Sequence, residues 1–226
     1  MMDTCIIIPA RYNSSRFVGK ALAKLDDQFM IRRVIDKCKE TDFPVFVSTD
    51  DKRIANTVGD HVGVIFDRKQ YNNGTERVAG ALRDYFDDYQ LKRIINVQCD
   101  MPDVTADMII KCRNILDNYS VSTVYTDMPS SQQQDTNTVK MIRSKEHALW
   151  FCRSVSGYGD WHLGVYGYRT KELVKYNDLE ITSEETIEKL EQLRWLKNDR
   201  LIGVAHVEFN GVEINTPEDL ERWHNG

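Results

Sequence analysis

Residues 5–20 read CIIIPARYNSSRFVGK, a short apolar run followed directly by a polar segment. The run Cys5–Pro9 is short and rich in isoleucine, which is typical of a β-strand. Because polar and apolar residues do not alternate within it, we expect both faces of this strand to be buried, as in sheets that lie between layers of helices. The polar segment Arg11–Lys20 is then the loop that connects this strand to the next helix.

Apolar runs and segments with helical periodicity alternate from this first strand to residue 97. The further predicted strands are Pro44–Ser48, Val62–Phe66 and Arg93–Val97, and the predicted helices are Met30–Lys39, Arg53–Val58 and Thr75–Tyr89. This β-α-β-α order, with strands that are apolar throughout, predicts an α/β fold whose mainly parallel sheet is flanked by helices.

The second half of the chain is less regular. Its predicted strands are Val121–Tyr125, Thr138–Arg143, Leu163–Tyr168 and Leu201–Phe209, and Ser130–Asn137 is a polar, glutamine-rich loop. A long helix is predicted at Thr182–Asn198, since a capping box opens it and an apolar stripe follows, made of Ile187, Leu190, Leu193 and Leu196. A last helix begins at Thr216. No repeat or linker interrupts the sequence, so we expect residues 1–226 to form a single domain.

Composition excludes several classes of protein. Of 226 residues 41% are hydrophobic and 29% charged, and the formal net charge is −5. Such a chain is neither disordered nor broadly basic, so a nucleic-acid partner is not expected. No apolar stretch approaches the roughly 18 residues of a membrane helix, so no membrane partner is expected either. The five cysteines are scattered and form no CxxC pair, which favours reduced thiols in the cytoplasm.

Positive charge is concentrated in the loop after the first strand. Arg11, Arg16 and Lys20 supply three cations there, and the guanidinium groups are suited to bind phosphate oxygens. Asp100 follows another buried strand and could bind Mg²⁺, while Asn73 begins a turn that enters a helix. Taken singly, the loop could be a solvated surface and the other two residues simple caps. Because parallel strands end at one edge of a sheet, their joint placement there predicts a ligand site.

Nine ordered stretches carry a family resemblance. They are IIIPARYNSSRFVGKAL (6–22), VSTDD (47–51), NNGTERVAGAL (72–82), INVQCDMP (95–102), NTVKMI (137–142), HALWFCRS (147–154), HLGVYGYR (162–169), EKLEQLRWL (188–196) and INTPEDLERW (214–223). In these stretches the chain resembles the 3-deoxy-manno-octulosonate cytidylyltransferases, or CMP-Kdo synthetases. The resemblance implies a nucleotide-diphospho-sugar transferase fold, which is Rossmann-like and GT-A-like, and a role in lipopolysaccharide biosynthesis.

The resemblance also implies a reaction and its participants. CTP would lie across the strand ends, the anomeric hydroxyl of a small sugar acid such as Kdo would attack the α-phosphate, and pyrophosphate would leave. Mg²⁺ would be the cofactor, held by Asp100 and Asn215, and the family precedent is a homodimer. The catalytic residues implied are Arg11, Lys20 and Asp100.

The remaining implied contacts divide into two groups. The implied nucleotide contacts are Arg11, Ser14, Arg16, Lys20, Asn73, Gly74, Thr75 and Arg77. The implied sugar contacts are Gln98, Arg153, His162, Tyr166, Glu188 and Gln192, with Arg153 as the partner of the sugar carboxylate. Because Tyr166 and Tyr168 alternate along one strand, one of the two is expected to pack in the core.

The sequence departs from the family pattern at four places. Residues 98–102 read QCDMP where the family has QGDEP, and Val18 stands where the family's LPGK motif has proline. The segment between Arg153 and His162 is shorter than in typical members of the family. In the family pattern GVDTPEDL the first aspartate is implied to be a metal ligand, and Asn215 stands at that position in this chain. An amide oxygen carries no charge, so we expect weaker Mg²⁺ binding unless substrate phosphates or Glu213 compensate.

These departures leave other functions open. The same scaffold could activate a different or smaller sugar or a sugar phosphate, or use another nucleotide. A catalytically weak nucleotide-binding homologue is the alternative from another class, and it predicts CTP binding without turnover.

Overall fold

The computed structural model describes residues 3–86, 91–154 and 157–225. Its strands are β1 (Thr4–Ala10), β2 (Lys24–Leu25), β3 (Gln28–Phe29), β4 (Val45–Thr49), β5 (Gly63–Phe66), β6 (Arg93–Val97), β7 (Val121–Thr126), β8 (Lys140–Ser144), β9 (His147–Cys152), β10 (Asp160–Arg169) and β11 (Ile202–His206). Its helices are α1 (Met30–Cys38), α2 (Lys52–Val58), α3 (Gly74–Tyr85), α4 (Ala106–Ile115), α5 (Thr170–Leu173), α6 (Ser183–Glu188), α7 (Leu193–Lys197) and α8 (Pro217–Asn225). No helix among the described residues is both long enough and apolar enough to cross a membrane.

Nine of the strands form one sheet in the order β5-β4-β1-β6-β10-β7-β11-β9-β8, and β2 and β3 form a small hairpin. Strands β5, β4, β1 and β6 are parallel, as predicted. Strand β10 is antiparallel to both of its neighbours, β6 and β7. The α/β class with flanking helices is therefore confirmed, whereas the sheet is mixed. Four parallel strands come from the first half of the chain, and β7 and β11 of the second half form one more parallel pair.

The first strand, β1, is buried on both faces, as its sequence predicts. Ile6 and Ile8 pack with Ile31 and Val34 of α1, in a core that α2 and α4 also cover. On the opposite face, Ile7 belongs to a second core with α3. The central parallel strands are thus covered on both faces, and ligands can approach them at their carboxyl ends.

That edge is where the predicted polar residues converge. β1 ends at Ala10, β4 at Thr49 and β6 at Val97, and all three run in one direction. β10 passes the same edge in the opposite sense, and the Gln98 N–H donates to the carbonyl of Gly164 at 2.9 Å. The loops that follow β1 and β6 therefore meet residues of β10 at one place.

The predicted long helix Thr182–Asn198 is wrong. Two short helices, α6 and α7, replace it, and Lys189 lies between them in the left-handed region at φ 55°. The cause is a buried ion pair between Glu185 and Arg194, nine residues apart. In one continuous helix such residues lie on opposite faces and about 13 Å apart along the axis, so the pair requires a break. Ile187, expected in the apolar stripe, is 77% exposed as a result.

Smaller differences concern element ends and omissions. Helix α3 ends at Tyr85, and residues 87–89 of the predicted helix Thr75–Tyr89 lie outside the described residues. The strand predicted at Leu201–Phe209 ends at His206. Val207 and Phe209 are buried beyond its end, and the Val207 N–H still donates to the Tyr125 carbonyl of β7 at 2.9 Å. Sequence reasoning missed β9, α4, α5 and the β2–β3 hairpin.

We expect the Arg194 ion pairs to be a large local contribution to stability. The side chain is 1% exposed, donates to Glu185 at 2.6 Å and Glu76 at 2.8 Å, and stacks on Tyr176. Replacing Arg194 by Met leaves two buried carboxylates without their cation, which should lower the free energy of unfolding by about 3–5 kcal/mol in urea titrations. The control Arg83→Met removes an exposed pair with Asp84 and should cost about 1 kcal/mol or less. Equal losses in both variants would contradict the assignment.

Candidate functional site

A cleft of about 1060 Å³ opens at the carboxyl ends of β1 and β6. It brings together fifteen of the predicted site residues, namely Arg11, Ser14, Arg16, Lys20, Asn73, Gly74, Arg77, Gln98, Asp100, Arg153, His162, Tyr166, Glu188, Gln192 and Asn215. Thr75 is the exception, because it is 1% exposed and its hydroxyl is hydrogen-bonded to that of Tyr168 at 2.8 Å. The structure thus gathers these residues in one place, and their individual roles stay predictions.

The cationic loop after β1 is closed on itself by the backbone. The Gly19 N–H donates to the carbonyl of Tyr12 at 2.8 Å, and Gly19 has φ 75°. A side chain at that position would be strained by the positive φ and would meet the Tyr12 ring at 3.2 Å. This turn directs Lys20 into the cleft, where its ammonium lies 2.5 Å from a carboxylate oxygen of Asp100.

The segment around Asn215 lies beside Asp100. The Ile214 N–H donates to the Asp100 carbonyl at 3.0 Å, which holds Glu213 and Asn215 on either side of that contact. The Asn215 amide oxygen accepts a hydrogen bond from Arg16 at 2.9 Å. Burial and the negative charge of Asp100 raise the pKa of Glu213 to about 8. Glu213 therefore holds its proton near pH 7, and a cation bound beside Asp100 and Glu213 would favour its ionised form.

The N-terminus of α3 forms the next wall of the cleft. Asn73 caps the helix by accepting from the Glu76 N–H at 2.8 Å. A side chain at Gly74 would come within 2.7 Å of Gln98, so this position tolerates only glycine without a shift. Arg77, predicted as a nucleotide contact, is 3% exposed and pairs with Asp50 at 2.9 Å. Asn73 and Arg77 thus hold the wall in place through contacts of their own.

Glu191 is a cleft residue that sequence reasoning missed. Its carboxylate accepts from the Thr75 N–H at 3.0 Å and from the Gln98 side-chain amide at 3.1 Å. Burial raises its pKa to about 7. The stretch EKLEQLRWL contains Glu191, but a role was predicted there only for Glu188 and Gln192. The break at Lys189 turns Glu191 toward α3.

Arg153 lines the cleft near Arg16, since both donate to Asn137, and it is held by neutral oxygens. It donates to the Asn137 carbonyl at 2.5 Å and to the Glu188 carbonyl at 3.3 Å. Its own backbone N–H donates to the Glu188 carboxylate at 3.0 Å, so Glu188 acts here as a support for Arg153. Burial lowers the pKa of Arg153. Residues 155–156 of the shortened segment that follows lie outside the described part of the chain.

His162 and Tyr166 of β10 form the floor of the cleft. His162 Nε2 lies 2.9 Å from the Thr123 hydroxyl, which itself donates its proton to the Val165 carbonyl at 2.8 Å. A hydroxyl has one proton to give, so His162 Nε2 must be the donor and Nδ1 is left as an acceptor. Burial lowers the pKa of His162 to about 3, so the ring is neutral near pH 7.

The two tyrosines do not separate into a core residue and a cleft residue. They are two positions apart in β10, so they share one face, stack with ring centroids 6.4 Å apart and both belong to the second core. Tyr168 is fully buried and packs beside Trp195. Tyr166 is 6% exposed, lines the cleft and donates to Gln192 at 3.4 Å. Gln192 therefore reaches the floor of the cleft even though the helix predicted to carry it is broken.

Comparison with known proteins identifies the family of the chain. Residues 5–202 match the family model described as cytidylyltransferase. Among curated proteins, the 3-deoxy-manno-octulosonate cytidylyltransferase of Acaryochloris marina is 36% identical, covering 97% of this chain and 95% of that protein. The enzyme of the same name from Parabacteroides distasonis is 34% identical, covering 98% and 97%.

Solved structures agree with these matches. A CMP:2-keto-3-deoxy-manno-octonic acid synthetase complexed with CTP has a TM-score of 0.86 and 28% identity, covering 98% of this chain and 96% of that one. A putative glucose-1-phosphate thymidylyltransferase from Bacillus anthracis has a TM-score of 0.72 at 12% identity and supports the fold alone. The nucleotide-diphospho-sugar transferase fold is thus confirmed. With matches of this extent in sequence and structure, the chain belongs to the cytidylyltransferase family, and its relatives there are the 3-deoxy-manno-octulosonate cytidylyltransferases.

Proposed function

We propose that the protein transfers CMP from CTP to a keto-sugar acid of the Kdo class and releases pyrophosphate. One observation carries this proposal. Arg11, Arg16 and Arg153 share a cleft, and none of them has an ion-pair partner among residues 3–86, 91–154 and 157–225. Three guanidinium groups that share a cleft and have no carboxylate partner favour anionic ligands, and a triphosphate together with a sugar carboxylate supplies them. The named relatives act on substrates of this kind.

The nucleotide occupies the end of the cleft formed by the cationic loop. Arg11, Ser14, Arg16 and Lys20 hold the triphosphate, and the α3 N-terminus with Asn73 and Gly74 faces the nucleoside. The anomeric hydroxyl forms a bond to the α-phosphorus as the bond to the bridging oxygen breaks, and pyrophosphate leaves with that electron pair. Alignment and neutralisation of phosphate charge are the main tasks of the protein in such a transfer.

The sugar acid occupies the part of the cleft around Arg153. Arg153 pairs with its carboxylate, and the neutral groups of Gln98, Tyr166 and Gln192 meet its hydroxyls. His162 Nδ1, as an acceptor, and Glu191 complete the polar surface. Glu188 contributes by holding Arg153.

We propose Mg²⁺ as the cofactor, and the donor set fits it in part. Asp100, Glu213 and the Asn215 amide offer hard oxygens in the cleft, and burial together with the charge of Asp100 raises the pKa of Glu213 to about 8. Within the described ranges no group of three or more His, Cys, Asp or Glu side chains forms a metal site. Mg²⁺ is commonly held by one or two carboxylates with substrate phosphates, so Asp100 would hold it with CTP. When bound, the ion offsets charge on the phosphates and the incoming hydroxyl.

A screen for pyrophosphate release tests the reaction directly. The purified protein is incubated with each of the four nucleoside triphosphates and a panel that contains Kdo, shorter keto-sugar acids and sugar phosphates. We expect release only with CTP and a keto-sugar acid. Release with a sugar phosphate, or with another nucleotide, would replace the proposed substrates. CTP binding without turnover of any acceptor would instead show that the protein is a catalytically weak nucleotide-binding homologue. Asn215 suggests this alternative, because it lacks the charge of the family's aspartate.

Asn215→Asp tests whether this position lies at the metal. The added carboxylate next to Asp100 should tighten Mg²⁺ binding in the presence of CTP by about tenfold in calorimetry. Asn137→Asp is the matched control, because Asn137 also accepts from Arg16, at 3.1 Å, on a different loop. An equal effect of both substitutions, or none from Asn215→Asp, would show that position 215 acts only through Arg16.

Two further properties are proposed with the function. The first is a homodimer, supported by the family precedent and by the exposed apolar side chains of Leu149 (50%) and Leu201 (60%). Light scattering should give the mass of two chains, and the mass of one would contradict it. The second is a cytoplasmic location, supported by five buried cysteines, none of which forms a disulfide in the described part of the chain. Recovery in a membrane or secreted fraction would contradict the latter.

A further inference from the structure

Lys140, the first residue of β8, is a buried cation outside the predicted site. It is 1% exposed, and its ammonium donates to three backbone carbonyls, those of Asp135, Thr138 and Arg153, the last two at 3.1 Å each. An ammonium group has three protons to donate, so every one is used. No ion pair of the described residues includes Lys140.

Such an arrangement is a poor source of stability. Removing an ammonium group from water costs free energy that neutral carbonyls repay only in part, and an apolar side chain of the same size would avoid the cost. Burial accordingly lowers the pKa of Lys140. The ammonium instead holds three backbone carbonyl groups at fixed positions around its nitrogen atom.

Those three points surround a contact inside the cleft. Asp135 and Thr138 flank Asn137, whose carbonyl accepts from the Arg153 guanidinium at 2.5 Å. The third carbonyl is that of Arg153 itself. Lys140 thus holds the backbone on both sides of the contact that directs the Arg153 side chain. The sheet supports this arrangement, since Lys140 pairs with Cys152 of β9 and with Trp161 of β10.

We propose that Lys140 is a positioning residue for the acceptor end of the cleft, which holds the Arg153 guanidinium where the carboxylate of the incoming sugar acid binds. This assignment rests on the proposed function for its substrate and on the hydrogen bonds above for its geometry. Lys140 touches no substrate itself. It acts through Arg153 and Asn137.

Steady-state kinetics of Lys140→Met provide the first test. The variant keeps the length of the side chain and loses its charge and donors. Misplacing a charge-assisted hydrogen bond should raise KM for the sugar acid about tenfold or more, while KM for CTP stays within about threefold. Lys140→Gln, which keeps two donors, should give a smaller rise and covers the case in which the Met variant does not fold. Lys37→Met, on the exposed face of α1, is the control and should change neither constant.

Arginine labelling provides a second test that needs no turnover. Phenylglyoxal modifies accessible guanidinium groups, and mass spectrometry measures the rate at each arginine. In Lys140→Met we expect Arg153 to react several times faster than in the wild type, with buried Arg194 still protected. An unchanged Arg153 rate, or equal rises at Arg153 and Arg194, would overturn the proposal, as would an equal rise of both KM values. If the wild type uses no sugar acid, the proposed function fails, and the labelling still decides the role of Lys140.

Discussion

One wall of the cleft depends on the buried guanidinium of Arg194. It joins Glu185 to Glu76 and thereby ties the segment that contains α6 and α7 to the first turn of α3. The pair with Glu185 forms only if the chain breaks between them, and the break lies at Lys189. The same break turns Glu191 toward the Thr75 N–H and Gln98. An ion pair formed in the core thus decides which side chains reach the site.

The negative net charge of the chain is compatible with its cationic cleft, because the two act over different distances. A formal charge of −5 describes the field far from the molecule, where salt screens it over about 10 Å. Within the cleft, Arg16 and Arg153 both donate to Asn137, and no carboxylate in the described part of the chain forms an ion pair with these two side chains or with Arg11. A small anion that enters the cleft therefore meets local positive charge, although the chain as a whole is acidic.

How far the sequence predicts this structure depends on the range of the interactions. The β1 strand and helix α3 follow from local periodicity, and the common direction of β1, β4 and β6 places the loops at one edge. Local patterns cannot register a contact between distant residues. The break at Lys189 and the place of Glu191 depend on such contacts, so periodicity predicted neither. The antiparallel course of β10 was missed for a similar reason, since strand direction is set by pairing across the sheet.

The buried cations fall into two groups, according to whether carboxylates or neutral oxygens surround them. Arg194 and Arg77 are matched by carboxylates, so their charge is cancelled and they serve the fold. Arg153 and Lys140 are matched by neutral carbonyl oxygens, which satisfy hydrogen-bond donors without cancelling charge. Desolvation is then only partly repaid for both side chains. Lys140 lies outside the cleft, and its three hydrogen bonds hold the backbone around Arg153. Arg153 lines the cleft itself, where a bound anion can complete its charge balance, and this difference is why the sugar carboxylate is placed at Arg153.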